Sequence, residues 1–185
     1  MSTSPQPAWD LDSVATELLS CESDRRDREP FTDDWTDLDL GTAYQIQAET
    51  LRRRQARGET VVGIKLGLTS RAKQKRMGID VPLVAWLTDA MVLPAGEPVP
   101  QAALIHPRVE PEIVFVMGDR LHGPGVTAAQ ALSAVAQVFG GAEVIDSRYR
   151  NLRFRLPDVV ADNASCGAYV TGPVGLPPQA LDRGR

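Results

Sequence analysis

The run Ile113-Val114-Phe115-Val116 is β-branched or aromatic at every position, and the chain is organised around it. Such a run reads as a β-strand. Glu110 and Glu112 sit at its entrance, two residues apart. In an extended chain, residues i and i+2 point to the same face, so the two carboxylates are held side by side. Like charges at that distance repel, and a strand tolerates them where water or a cation shares them. Ligation by oxygen alone suits Mg²⁺, Mn²⁺ or Ca²⁺ better than Zn²⁺. Pro111, between them, cannot donate to a β-ladder, which places this end at a sheet edge, a bulge or a strand start. The competing reading is a solvated strand end carrying two surface glutamates.

With 185 residues, the chain is long enough for one core and short for two full domains. A net charge of −4 argues against a general nucleic-acid binder, which would usually present a basic surface. The basic stretch Leu51 to Arg57 falls on a predicted helix and reads as its solvated face. No apolar run approaches the roughly 20 residues of a membrane span. Met1 to Asp10 lacks the basic region and apolar core of a secretory signal, so a cytoplasmic chain is expected. Cys21 and Cys166 have no metal-like spacing and read as reduced thiols.

Met1 to Trp9 is polar and expected to fray. Leu11, Val14, Ala15, Leu18 and Leu19 recur at helical spacing, with Asp10 or Asp12 as the cap. The charge-dense stretch Cys21 to Asp34 reads as a mobile connection, a lid or an arm. Thr42 is the expected cap of a second helix, and Gly58 its stop. Val61 to Leu68 is the next strand, followed by a short helix capped by Thr69 or Ser70 and closed by Gly78. A short strand is expected near Met91. Thr127 should open a helix bearing Ala128, Ala131, Leu132, Val135 and Val138, ended by Gly140-Gly141. Ala142 to Asp146 reads as a short strand, Leu152 to Leu156 as a half-exposed strand or arm, and Asp158 to Ser165 as a structured loop or helix start. Ala168 to Thr171 is the last strand, and Gly172 to Arg185 shows no periodicity.

Lys65 is a single cation inside an apolar strand, flanked by Gly63 and Gly67. Lysine is rarely buried without a partner. It either snorkels, pairs with a structural carboxylate, or meets an anionic substrate that the glycines allow to approach closely. Glu143 is a third carboxylate in apolar surroundings. Glu110, Glu112, Glu143 and Lys65 would make a hard-metal site with an adjacent cation, but spacing alone leaves open whether they meet. His106 lies near this site, and His122 sits in a Gly/Pro loop that reads as surface.

Four blocks carry a resemblance: Ile64-Lys65-Leu66-Gly67-Leu68-Thr69-Ser70, Pro107-Arg108-Val109-Glu110-Pro111-Glu112-Ile113, Glu143-Val144-Ile145-Asp146-Ser147-Arg148-Tyr149 and Val160-Ala161-Asp162-Asn163-Ala164-Ser165. From about Ala43 to Gly172, and in this order, the chain resembles the hydratase/decarboxylase branch of the fumarylacetoacetate hydrolase superfamily, which serves meta-cleavage degradation of catechols. Asp146-Ser147-Arg148-Tyr149 followed by Phe154, and Leu104-Ile105-His106-Pro107, look more like the decarboxylases of the branch. The resemblance implies Mg²⁺ or Mn²⁺ on Glu110, Glu112 and Glu143, a catalytic Lys65 facing the substrate, and substrate contacts at Leu68, Thr69, Ser70, Asp162 and Ser165. It implies decarboxylation of 2-oxohex-3-enedioate to 2-hydroxypenta-2,4-dienoate, with hydration of that dienoate as the alternative.

The fold implied is α+β, a rolled mixed β-sheet with helices over residues 1–60 and a catalytic region over 61–185. Family members continue well beyond Gly172, so the chain is expected to be C-terminally truncated, with strand edges exposed or completed by oligomerisation. The partners expected are a small 2-oxo acid, further copies of the chain, and a hydratase or decarboxylase partner enzyme, with no nucleic acid and no membrane. Two other readings stand beside this one. The first is an inactive relative that serves as a partner-binding subunit. The second is a hydrolase of acylpyruvates, which would need a water-activating base that neither His106 nor His122 clearly supplies.

Overall fold

Asp10 starts the first helix, α1 (Leu11–Asp24), in a computed structural model that describes residues 9–181. Its carboxylate accepts the Ser13 N–H at 2.8 Å, and the Ser13 hydroxyl accepts the Asp10 N–H at 3.0 Å. This reciprocal box satisfies two groups that a helix start otherwise leaves orphaned. The second helix, α2 (Leu40–Ala56), is capped by Asp39 rather than Thr42. Thr42 supplies the N–H that the Asp39 carboxylate accepts at 2.7 Å, because the capping oxygen must precede its donor by two or three residues. The frayed start expected for Met1 to Trp9 lies, apart from Trp9, outside the described residues, as does the chain after Leu181.

The stretch expected to be a mobile arm is packed instead. Phe31 has no exposed surface and meets Trp9 and Tyr149 edge-on. Burying a side chain of that size is worth about 1.5–3 kcal/mol, which anchors an otherwise polar segment. Its charges pair outward, Arg26 with Glu17 and Glu29 with Arg150 and Arg153. Thr32 is tied to the fifth helix, α5 (Leu156–Ala161), since the Asp158 carboxylate accepts its N–H at 3.1 Å and its hydroxyl at 2.5 Å. Val14, Leu18, Phe31, Ile46, Tyr149 and Val160 are central to the core that joins α1, α2 and α5.

Two antiparallel sheets complete the α+β architecture. The smaller pairs β1 (Val61–Gly67) with β2 (Leu83–Thr88), joined through α3 (Arg71–Met77). Gly78 ends α3 at φ 69°, a left-handed position that glycine adopts without a Cβ penalty. The larger has the order β3-β4-β5, from β3 (Arg108–Met117), β4 (Val135–Ile145) and β5 (Cys166–Leu176). The Gln47 side-chain amide donates to Val84 O at 3.1 Å and Val160 O at 3.0 Å, fastening α2 to both β2 and α5.

Three expectations change here. The helix read from Thr127 to Gly140 is only α4 (Ala128–Ser133), and the chain from Val135 is already β4. Val135 and Val138 fit helical spacing, but pairing along the full length of β3 outweighs that local preference. The strand placed near Met91 is β2, which ends at Thr88. The strand or arm read over Leu152–Leu156 is no strand: a turn ends at Leu152, a short link with extended backbone at Arg153 and Arg155 follows, and α5 starts at Leu156. Among the described residues, no helix is long and apolar enough to cross a membrane.

Candidate metal centre

β3 is an edge strand of its sheet, which accommodates the missing N–H of Pro111. Its register sets Glu110 opposite Glu143, and Glu112 opposite Gly141. Directly opposed residues of an antiparallel pair share a face. One carboxylate oxygen from each of Glu110, Glu112 and Glu143 therefore lies within 4.8 Å of the others. Glu110 and Glu112 are exposed, whereas Glu143 is buried. Gly141 keeps the strands close at this row. A Cβ there would lie 2.7 Å from the Val114 side chain and 2.9 Å from Val170 O.

Lys65 reaches the same place from the other sheet. It stands opposite Ala85 in the β1–β2 ladder. Its Nζ makes a close ion pair with Glu143 and donates to Ala164 O at 3.0 Å. Burial pushes the Glu143 carboxyl above its ordinary range, Lys65 opposes that rise, and Glu112 adds to it. The buried Cys166 thiol is pushed up to about 12, by burial first and then by Glu143. Cys21 is raised to about 12 by burial as well, so both free thiols are unreactive at neutral pH.

Asn163, Ala164 and Ser165 have φ of 49°, 51° and 58°. A residue with a Cβ in this region costs roughly 1–2 kcal/mol, so three in a row must be held by their surroundings. Trp86 of β2 donates its N–H to Asn163 Oδ1 at 2.9 Å, and Asn163 Nδ2 donates to Trp86 O at 2.9 Å. Ser165 O accepts the Asp146 N–H at 2.8 Å, just beyond β4. Asp162, which precedes the turn, pairs with Arg148 in full burial. Arg148 also donates to Asp146 O at 2.8 Å and to Asp162 O at 2.6 Å.

The structure thus brings Glu110, Glu112, Glu143 and Lys65 together. Leu68 is half-buried at φ 55°, and its carbonyl accepts the Gln74 side-chain amide at 2.9 Å. Thr69 and Ser70 are exposed, and Ser70 stands at the start of α3. Asp162 and Ser165 are buried beside Arg148. The Asp146 carboxylate accepts the backbone N–H groups of Ile105 and His106 at 2.8–3.0 Å, while His122 is exposed. The roles of Asn163 and Ala164 were not read from the sequence. The available signal was an Asp-Asn pair, residue types that tolerate left-handed backbone.

No family model matches the chain. It is 44% identical over 160 residues to a 4-oxalocrotonate decarboxylase of Pseudomonas sp. (strain CF600), a match that covers 86% of this chain and 61% of the relative. It is 40% identical over 173 residues to a 2-hydroxypent-2,4-dienoate hydratase of Pseudomonas putida, covering 93% of this chain and 78% of the relative. Among solved structures, 4-oxalocrotonate decarboxylase from Pseudomonas putida G7, complexed with magnesium and adipate, superposes with a TM-score of 0.89 at 38% identity. That superposition covers 93% of this chain and 65% of the solved one. The chain therefore spans a little under two thirds of the decarboxylases it matches.

Proposed function

The chain belongs to the fumarylacetoacetate hydrolase-like decarboxylase/hydratase family, and we propose that it acts on 2-oxohex-3-enedioate, releasing CO₂ to leave 2-hydroxypenta-2,4-dienoate. The observation that carries this reading is the convergence of Glu110, Glu112 and Glu143 beside Lys65. The donor set fits a hard divalent cation, being all oxygen. Lys65 balances one of the three negative charges, and a divalent ion would balance the other two. Mg²⁺ is the ion proposed, as in the decarboxylase of known structure, with Mn²⁺ as its substitute. When bound, the ion supplies Lewis acidity toward the substrate's 2-oxo acid oxygens.

The residues of the chain supply the rest. Loss of the C6 carboxylate leaves the C5–C6 electron pair on the chain as a C4–C5 double bond. The C3–C4 pair shifts to C2–C3, and negative charge arrives on the C2 oxygen. The Lys65 ammonium stands beside the carboxylates, where it stabilises that charge or gives it a proton. Glu143, buried and paired with Lys65, fixes where the ammonium sits. Leu68, Thr69, Ser70, Asp162 and Ser165 form the substrate wall in this reading, with Asp162 acting through its hold on Arg148.

The two sheets are proposed as parts of one rolled mixed sheet forming a catalytic region over 61–185, with the helices of 1–60 packed against it. Further copies of this chain, or a hydratase partner, are the proposed company. Hydration of 2-hydroxypenta-2,4-dienoate is the second reading, favoured by the longer match to the hydratase. The test is CO₂ release from 2-oxohex-3-enedioate with Mg²⁺, on wild type and on Glu112→Ala. Release that needs both metal and Glu112 supports decarboxylation. A folded protein that releases none overturns it, and the dienoate is then the substrate to assay.

A further inference from the structure

The turn Asn163-Ala164-Ser165 touches both sheets at the point where they face each other. On one side, the Asn163 amide grips both backbone polar groups of Trp86, at 2.9 Å each. Trp86 lies next to Ala85, the residue opposite Lys65. On the other side, Ser165 O holds the N–H of Asp146, three residues beyond Glu143. Between these two anchors, the Ala164 carbonyl receives the Lys65 ammonium at 3.0 Å. A carbonyl is fixed in direction only as well as its backbone is fixed, and this backbone is left-handed at three successive residues with side chains. Asn tolerates this region, but nothing intrinsic to Ala and Ser keeps such a turn. The buried Arg148–Asp162 pair holds its base, and the Asn163 amide holds its tip.

We infer that Asn163 is a positioning residue, whose side chain clamps the turn to β2 so that the Ala164 carbonyl sets the Lys65 ammonium over the three carboxylates. Among the described residues, the Asn163 side chain hydrogen-bonds Trp86 and neither Lys65 nor the carboxylates, so it works through the turn. The inference deepens the proposed function and rests on it for the kinetic role of Lys65. The placement of Lys65 itself is measurable without turnover.

The experiment compares wild type with Asn163→Gly and Asn163→Asp. Glycine accepts the positive φ and removes the clamp while freeing the backbone, and Asn163→Asp, which keeps a side chain, separates the two effects. Aspartate keeps the acceptor for Trp86 N–H and loses the donor to Trp86 O. The first readout is acetylation of Lys65 by a small acylating reagent, quantified by mass spectrometry. Lys73 and Lys75, both exposed and the only other lysines, are internal standards. In folded Asn163→Gly, Lys65 labelling should rise about tenfold relative to those standards, as expected for loss of local ordering. Mg²⁺ affinity by calorimetry should stay close to wild type, because the carboxylates belong to other elements. In the decarboxylation assay, kcat should fall roughly 10²-fold with KM nearly constant, the signature of a misplaced catalytic group.

Unchanged Lys65 labelling in folded Asn163→Gly overturns the inference. So does a loss of Mg²⁺ affinity that matches the loss of kcat, since the clamp would then act on the carboxylates. Should Asn163→Gly fail to fold, Asn163→Asp decides by the same labelling ratio, with a smaller rise expected and no rise overturning. Should wild type release no CO₂ while labelling responds to the clamp, the functional reading fails and the positioning role stands.

Discussion

Two ion pairs, one buried and one part-buried, flank the same turn, and they are built differently. Arg148–Asp162 is closed. The guanidinium donates to the Asp162 side chain and to the carbonyls of Asp146, Asp162 and Cys166, and Asp162 accepts the Arg148 N–H at 3.2 Å in return. Lys65–Glu143 is open. The ammonium spends two of its three donors, on Glu143 and Ala164, and the guanidinium four of its five, so the difference lies with the carboxylates. Glu143 still faces Glu110 and Glu112. Side-chain exposure follows the same division, 4% and 0% in the first pair against 15% and 6% in the second. The first pair fixes structure, while the second, whose carboxylate faces two more, keeps capacity for a cation. Buried charge by itself does not mark chemistry, but a carboxylate held beside other like charges does.

Breaking the closed pair should have the largest effect. Arg148→Met leaves the Asp162 carboxylate buried without its partner, which costs about 3–5 kcal/mol. Urea unfolding should show the midpoint falling accordingly, and a shift below 1 kcal/mol would mean that the network is not closed in solution. The open pair should respond in the opposite way. Lys65→Met should lower CO₂ release by roughly 10²-fold or more while the unfolding midpoint falls less than in Arg148→Met, since Glu143 lies beside exposed carboxylates where a cation can replace the ammonium. A loss of stability as large as that of Arg148→Met would erase the distinction between the pairs. Next comes the exposed arm of the open site. Glu112→Gln should weaken Mg²⁺ at least about tenfold, by analogy with losses around metal ligands, with circular dichroism unchanged.

The smallest effect should come from the rim of the closed network, at Glu22. Burial alone would raise the Glu22 carboxyl, but Arg54 and Arg148 outweigh it and hold it below its ordinary value. A carboxyl whose folded value is depressed stabilises the fold above its unfolded value of 4.5, and that contribution is lost as pH falls through the folded value. Glu22→Gln should therefore flatten the acid limb of the stability curve below that pH. The side chain is 40% exposed, so after solvent screening the change should be only a few tenths of a kcal/mol. An acid limb identical to wild type would remove Glu22 from the network.

The legible parts of this protein were those governed by short spacing. The common face of Glu110 and Glu112 needs only the two-residue period of a strand, and the register against β4 has them on one face. The Asp10 cap, the Gly78 stop and the edge position of Pro111 follow from residue chemistry within a few positions. The failures were equally physical. Ala128 to Val138 carries an apolar spacing that suits a helix, and only the presence of β3 turns its second half into a strand. The charged stretch before Asp34 hides one phenylalanine whose burial decides its conformation.

The sequence alone determined the residue types of the site: paired oxygen ligands, a lone strand lysine and a third strand carboxylate. The tertiary structure decided that Lys65 meets Glu143, 78 residues away, and that a left-handed turn lies between the sheets that carry them. The reason is one of range. Side-chain direction repeats locally along a strand, so spacing encodes it. Contact between strands of different sheets depends on every loop and core residue that closes the chain between them, and no local pattern carries that sum.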